Sequence, residues 1–194
     1  MVRLGIICEG KTEQILFTSR RFTELLRDLN IFLVNVIDAE GAGNLLPHNI
    51  DGYIESLELE GAEKILIVSD LDGDACITSA KKRVGARRQD DIVIVVKEIE
   101  AWFLCCSGTL GELLNVPDFK FDSPENENDP YATINDLHIH HKGQGIGRKS
   151  HSGKIKLIYR LLEHNLNLSE ALRHDNCASV NYFFKKIKQI GAAN

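Results

Sequence analysis

Through the first 115 residues, short unbroken apolar runs alternate with longer segments whose apolar positions recur every three or four residues. The runs cover residues 4–8, 31–37, 64–69 and 92–96. Unbroken apolarity is what strands covered on both faces require, so these runs predict four strands of a parallel sheet. Between the first two, residues 12–29 space Ile15, Leu16, Phe22, Leu25, Leu26 and Leu29 as one helical stripe. A glycine-rich turn, Gly41-Ala42-Gly43-Asn44, precedes a helix predicted over 45–59, with Pro47 near its start. Residues 75–88 predict a helix with a basic outer face, and residues 100–114 another, which carries Trp102 as a core residue. The order β-α-β-α-β-α-β-α is that of an α/β fold: an open, Rossmann-like parallel sheet of about four strands flanked by helices, with right-handed crossovers.

The pattern breaks after Leu114. Residues 117–130 carry Asp118, Asp122, Glu125, Glu127 and Asp129 without periodicity and read as a long acidic loop. Residues 139–162 invert the charge, with Lys142, Arg148, Lys149, Lys154, Lys156 and Arg160 and no acid. Gly143, Gly145, Gly147 and Gly153 predict a loop there, leading into a helix over 155–162. His138, His140, His141 and His151 fall around this loop and read as solvated, because no cysteine is spaced to complete a zinc site. Ser169 and Ser179 are the expected N-caps of two last helices, the second over 180–190. The expected organisation is a core of residues 1–115, an acidic-then-basic loop insertion over 116–153, and a helical C-terminal extension over 154–194 packed on the core.

Composition narrows the class. The chain has 194 residues, 43% hydrophobic and 26% charged, the proportions of an ordinary globular protein. A net charge of −5 excludes a passive nucleic-acid coat protein. It leaves room for an enzyme that presents a local basic surface. The five cysteines form no CxxC pair, and small buried thiols in a reducing compartment are expected. No apolar stretch nears the roughly 18 residues needed to span a membrane. The N-terminus reads as a strand ending in an acid, not as a signal peptide. A cytoplasmic protein without membrane contact is the expectation.

Ligands of open parallel sheets bind at the carboxyl ends of the strands. The first run here ends in Cys8-Glu9-Gly10-Lys11-Thr12-Glu13, the third in Ser69-Asp70-Leu71-Asp72-Gly73-Asp74, and the fourth in Lys97-Glu98-Ile99-Glu100. Acids from three strands therefore collect at one edge, where mutual repulsion would raise their pKa values. A divalent cation relieves that repulsion, and oxygen-only ligands suit Mg²⁺ or Mn²⁺. The competing reading is a solvated edge whose acids cap helices.

A strand ending in Glu-Gly, a parallel α/β unit and a strand ending in Asp-x-Asp together resemble the Toprim domain of topoisomerases, bacterial primases, small nucleases and the overcoming-lysogenization-defect nucleases of phage defence. Glu9-Gly10-Lys11-Thr12-Glu13 and the stretch Glu98-Ile99-Glu100-Ala101-Trp102 resemble more closely a group of bacterial Toprim-like proteins of unassigned function, as does the late segment 179–184. The resemblance covers residues 4–105 best. It implies that Glu9, Asp70 and Asp72 are catalytic and bind metal, and that Asp74 matches a further acid of some members.

The leading expectation is a Mg²⁺- or Mn²⁺-dependent nuclease or related phosphoryl-transfer enzyme acting on nucleic acid. Asp70 and Asp72 would hold the metal, and Glu9 would complete the site or act as general acid/base. Glu98 or Glu100 would support a second metal. Lys11 and Lys97 would contact phosphate, with Lys142, Arg148, Lys149 and Lys154 as a basic surface for the backbone. Lys81, Lys82, Arg83, Arg87 and Arg88 supply a second positive patch. The alternative expectation is a non-catalytic metal- or nucleotide-binding module that works with a partner protein, such as an ATPase of a phage-defence system. Two further motif likenesses are weaker. Residues 70–77 resemble the start of an EF-hand loop but lack its glycine at Ala75 and its final glutamate at Lys81. Ser69-Asp70-Leu71-Asp72-Gly73 resembles a phosphatase nucleophile motif, yet it follows two earlier strand–helix units.

Overall fold

The computed structural model describes residues 1–71, 73–85 and 91–192. Four strands form one parallel sheet: β1 (Val2–Cys8), β2 (Ile31–Asp38), β3 (Lys64–Asp70) and β4 (Ile92–Val95). Their order is β2-β1-β3-β4. From β1 the chain goes outward to β2 on one side and returns to β3 on the other. The crossover directions therefore diverge between β1 and β3, which is the position where open α/β sheets leave a crevice. All four strands of the expected sheet are present, within one or two residues of their anticipated ends.

The chain gathers into two compact units, one of residues 1–96 and 182–194 and the other of residues 97–181. The first holds the sheet, with α1 (Lys11–Thr18), α2 (Arg20–Asp28), α3 (Pro47–Leu59) and α4 (Ile77–Val84). On one face, Ile7, Ile65, Ile67, Ile92 and Ile94 form a core with Ile50, Ile54 and Leu57 of α3 and Ala80 and Val84 of α4. The approach of α3 to β1 explains Gly5: a Cβ there would lie 2.8 Å from Leu57 Cδ1. Phe17 and Phe22 stack with Phe183 of α9 (Ala178–Gly191), at centroid distances of 5.5 and 6.0 Å.

The second unit is helical: α5 (Glu100–Leu104), α6 (Ser107–Leu114), α7 (Pro130–Lys142), α8 (His151–Glu163) and the first residues of α9. No helix among the described residues is long and apolar enough to cross a membrane.

Several expected elements differ. The single helix over 12–29 is two, because Ser19 is extended (ψ 150°) and its Oγ accepts the Phe22 N–H. The helix over 100–114 breaks at Cys105 and Cys106, and α6 is then capped from a distance: Glu170 Oε2 accepts Thr109 N–H at 3.1 Å. The helix expected from residue 75 starts at Ile77. Arg87 and Arg88 lie outside the described residues. The histidines at 138, 140 and 141 sit on α7, not in a loop. Asn167, not Ser169, caps the 3-10 turn Leu168–Arg173, accepting Ser169 N–H. Cys105 and Cys177 form a disulfide, against the expectation of thiols throughout, while Cys8, Cys76 and Cys106 are thiols.

Candidate functional site

The parallel register sets the site. Cys8 pairs with Val68, so Glu9 stands level with Ser69 one residue further along. The Glu9 side chain turns across this gap: Oε2 accepts Asp70 N–H at 3.1 Å and Ser69 O–H at 3.2 Å. Asp70 is buried, at 7% exposure. On its far side, Asp70 pairs with Val95 of β4, and Leu71 N–H donates to Val95 O at 2.9 Å. The turn after β2 is tied to the same edge, since Gly41 N–H donates to Glu9 O at 2.7 Å. Glu9 and Asp70 are thus brought together at the β1/β3 crevice. Asp72 lies outside the described residues.

Asp74 is occupied otherwise. Its Oδ2 accepts Arg83 Nε at 2.7 Å, and Arg83 Nη2 also donates to Asp70 O at 3.3 Å. The backbone of Asp70 is therefore held at its N–H by Glu9 and at its carbonyl by Arg83. Read from the sequence, Arg83 is one member of a basic patch. The contact spans 13 residues, and nothing in the local pattern marks it.

Glu98 and Glu100 belong to the second unit and are engaged by cations. Lys154 Nζ lies 2.9 Å from Glu98 Oε2 and 3.0 Å from Glu100 Oε2. Lys149 Nζ bridges Glu98 and Asp129, each at 3.0 Å. Burial pushes the Glu100 carboxyl above the usual carboxylate range, against the pull of Lys154. Burial alone would lower the Lys154 pKa, yet Glu100 and Glu98 outweigh it and hold the ammonium above the ordinary lysine value. Two of the expected phosphate-contacting lysines are thus already paired with carboxylates. Arg148 is exposed, Lys142 ends α7, and Lys97 has a left-handed backbone (φ 67°) directly after the sheet. Lys11 is exposed and donates to Gln14 Oε1 at 2.6 Å.

Of the α7 histidines expected to be solvated, His138 is not. His138 is buried at 3% exposure. Its Nε2 accepts from Arg160 Nη1 at 3.0 Å, which makes Nδ1 the donor to Gln144 O. Both ring nitrogens are spent. Among the described residues, no three His, Cys, Asp or Glu side chains gather as a metal-holding group. Glu9 and Asp70 nevertheless suit a hard cation, because both offer oxygen and Mg²⁺ commonly takes one or two carboxylates and retains water.

Comparison of the chain with known protein families, with curated proteins and with solved structures finds no match in any of the three.

Proposed function

We propose that this chain is a divalent-metal-dependent phosphoryl-transfer enzyme, a nuclease of Toprim type, working at the β1/β3 crevice. The supporting observation is the Glu9–Asp70 arrangement: two carboxylate residues from adjacent parallel strands at the crevice of the sheet, with Glu9 fixed by the Asp70 N–H and the Ser69 hydroxyl. Glu9 and Asp70, together with Asp72, would hold Mg²⁺ or Mn²⁺. Bound there, the cation would supply charge neutralisation for the phosphoryl oxygens. Glu9 is held by hydrogen bonds through Oε2, so its carboxylate orientation is set before substrate arrives. Where Glu9 does not ligate the cation, it would serve instead as general acid/base at the attacking water or the leaving oxygen.

A second reading has one observation in its favour. Lys149 and Lys154 are neutralised by Glu98, Glu100 and Asp129, which reduces the cationic surface that a self-sufficient nuclease would present. Under that reading the crevice binds metal or nucleotide, and a partner protein, such as an ATPase of a defence system, supplies the rest. Cleavage of labelled single- and double-stranded DNA and RNA in Mg²⁺ or Mn²⁺ separates the two. The nuclease reading expects cleavage abolished by EDTA and by Asp70→Asn. Absence of cleavage from folded protein on every substrate transfers support to the partner-dependent module.

A further inference from the structure

A cleft of about 400 Å³ is lined by Ala42, Gly43, Leu46, Gly73, Asp74 and Arg83, all within the first unit, and Arg83 links it to the Asp70 carbonyl. One wall is the turn that follows β2, tied to Glu9 through Gly41. The other is formed by Gly73, Asp74 and Arg83 of α4. A Cβ built on Gly43 or Gly73 meets nothing within 4 Å, so both glycines leave their backbone open to an incoming group.

We infer that this cleft is the phosphate subsite of the β1/β3 crevice, and that Arg83 is the residue that grips a phosphodiester there. The inference deepens the proposed nuclease reading and rests on it for the nature of the substrate. A guanidinium carries five N–H donors in a planar fork. Within the described residues Arg83 spends two, one on Asp74 and one on the Asp70 carbonyl. The other three suit phosphate oxygens, which the fork meets in a bidentate manner. Asp74 is then the residue that orients Arg83, not a metal ligand.

Charge makes the subsite conditional. Among the described residues, the carboxylates of Glu9, Asp70 and Asp74 lie at this edge with the guanidinium of Arg83. A divalent cation held by the acids would favour the approach of a phosphate. Cation and phosphodiester are therefore expected to bind with positive, reciprocal coupling.

The test is fluorescence anisotropy of short labelled single-stranded DNA and RNA, in Ca²⁺ and in EDTA. Wild type is compared with Arg83→Gln, Arg83→Lys and Asp74→Asn, and with Lys82→Gln as a same-helix charge control. Thermal melts establish that each variant is folded. Wild type is expected to bind in Ca²⁺ and to lose affinity in EDTA. Arg83→Gln is expected to weaken binding in Ca²⁺ by about tenfold or more, because a charged hydrogen-bonding group is lost. Lys82→Gln changes the same charge at an exposed site and is expected to alter it by about twofold. Arg83→Lys keeps the charge but not the fork and stays several-fold weaker; it decides the matter if Arg83→Gln fails to fold. Asp74→Asn removes the carboxylate that orients Arg83 and is expected to weaken binding in Ca²⁺ several-fold. Absent binding, binding indifferent to EDTA, or Arg83 variants equal to Lys82→Gln would each overturn the inference. A parallel Mg²⁺ cleavage assay on wild type reports separately on the nuclease reading, since binding can persist where cleavage is absent. Whether DNA or RNA binds more tightly names the source of the phosphodiester.

Discussion

Glu9 Oε2 accepts the backbone N–H of Asp70 at 3.1 Å, linking the residue after β1 to the last residue of β3. A side chain that satisfies a backbone donor has a structural role as well as any chemical one, and substitutions separate the two. Glu9→Gln retains an amide oxygen for the Asp70 N–H, so its melting temperature is expected to stay near that of wild type while metal-dependent cleavage is lost. Glu9→Ala removes the acceptor for both the Asp70 N–H and the Ser69 hydroxyl, and costs about 1 kcal/mol or more in urea unfolding. Cleavage by Glu9→Gln at the wild-type rate would remove Glu9 from the chemistry.

The Glu98–Glu100–Lys154 cluster gives a prediction with a defined pH sign. The Lys154 pKa is raised, so its charge contributes stability in full below the unfolded lysine value of about 10.4 and loses it as pH rises through the folded value. Lys154→Met strands fully buried Glu100 beside Glu98 and is expected to cost about 3–5 kcal/mol near neutral pH. Burial already raises the Glu100 pKa, and loss of the ammonium raises it further. The folded variant then holds a proton that the unfolded chain releases, so its stability recovers as pH falls toward the ordinary glutamate value of about 4.3. Glu100→Gln in the Lys154→Met background removes that recovery. Urea unfolding between about pH 5 and pH 8 tests it; a constant offset from wild type would contradict the assignment.

The sheet was legible because its strands are buried on both faces, and an unbroken run such as Ile92–Val95 is too short for a buried helix and too apolar for a surface loop. Glu9 and Asp70 were legible for the same reason, since strand ends locate a crevice. The second unit was far less so. Helix α7 hides its periodicity: His138 occupies a buried position while Ile139 is exposed. Two helix starts are capped by distant glutamates, α6 by Glu170 and α9 by Glu125, and no local rule detects a cap some 50 to 60 residues away in sequence. Ion pairing of Lys149 and Lys154 was invisible for the same reason. A run of basic residues reads as open surface until the carboxylates facing it are known.

The cysteines separate into three classes by environment. Cys105 and Cys177 are linked, Cys76 is exposed, and Cys8 and Cys106 are buried. Burial pushes the Cys8 and Cys106 thiols well above their ordinary pKa, which disfavours the reactive thiolate. Alkylation of the native protein is therefore expected to label Cys76 rapidly and Cys8 and Cys106 hardly at all. Peptide mapping after denaturation without reductant is expected to recover Cys105 joined to Cys177. Cys105→Ser is expected to lower stability by about 2–4 kcal/mol. Recovery of five alkylated cysteines from unreduced protein would refute the linkage.

Trp102, Ser179 and Glu125 form a hydrogen-bonded relay that is buried at Trp102 and Ser179. The indole Nε1 donates to Ser179 Oγ at 2.7 Å, and Ser179 O–H donates to Glu125 Oε1 at 2.6 Å. Glu125 also accepts the Ala178 and Ser179 backbone N–H groups at 3.1 and 2.8 Å, which caps α9. Trp102 is fully buried, so Ser179→Ala removes the acceptor of an indole N–H that water cannot reach, and about 1–3 kcal/mol is expected to be lost. Glu125→Ala removes the cap and is expected to cost about 1–2 kcal/mol. The two changes share one hydrogen bond, so their effects must fall short of additivity by about 0.5 kcal/mol or more in a double-mutant cycle. Strict additivity would mean that Glu125 supports α9 through the backbone alone and that the hydroxyl acts only toward Trp102.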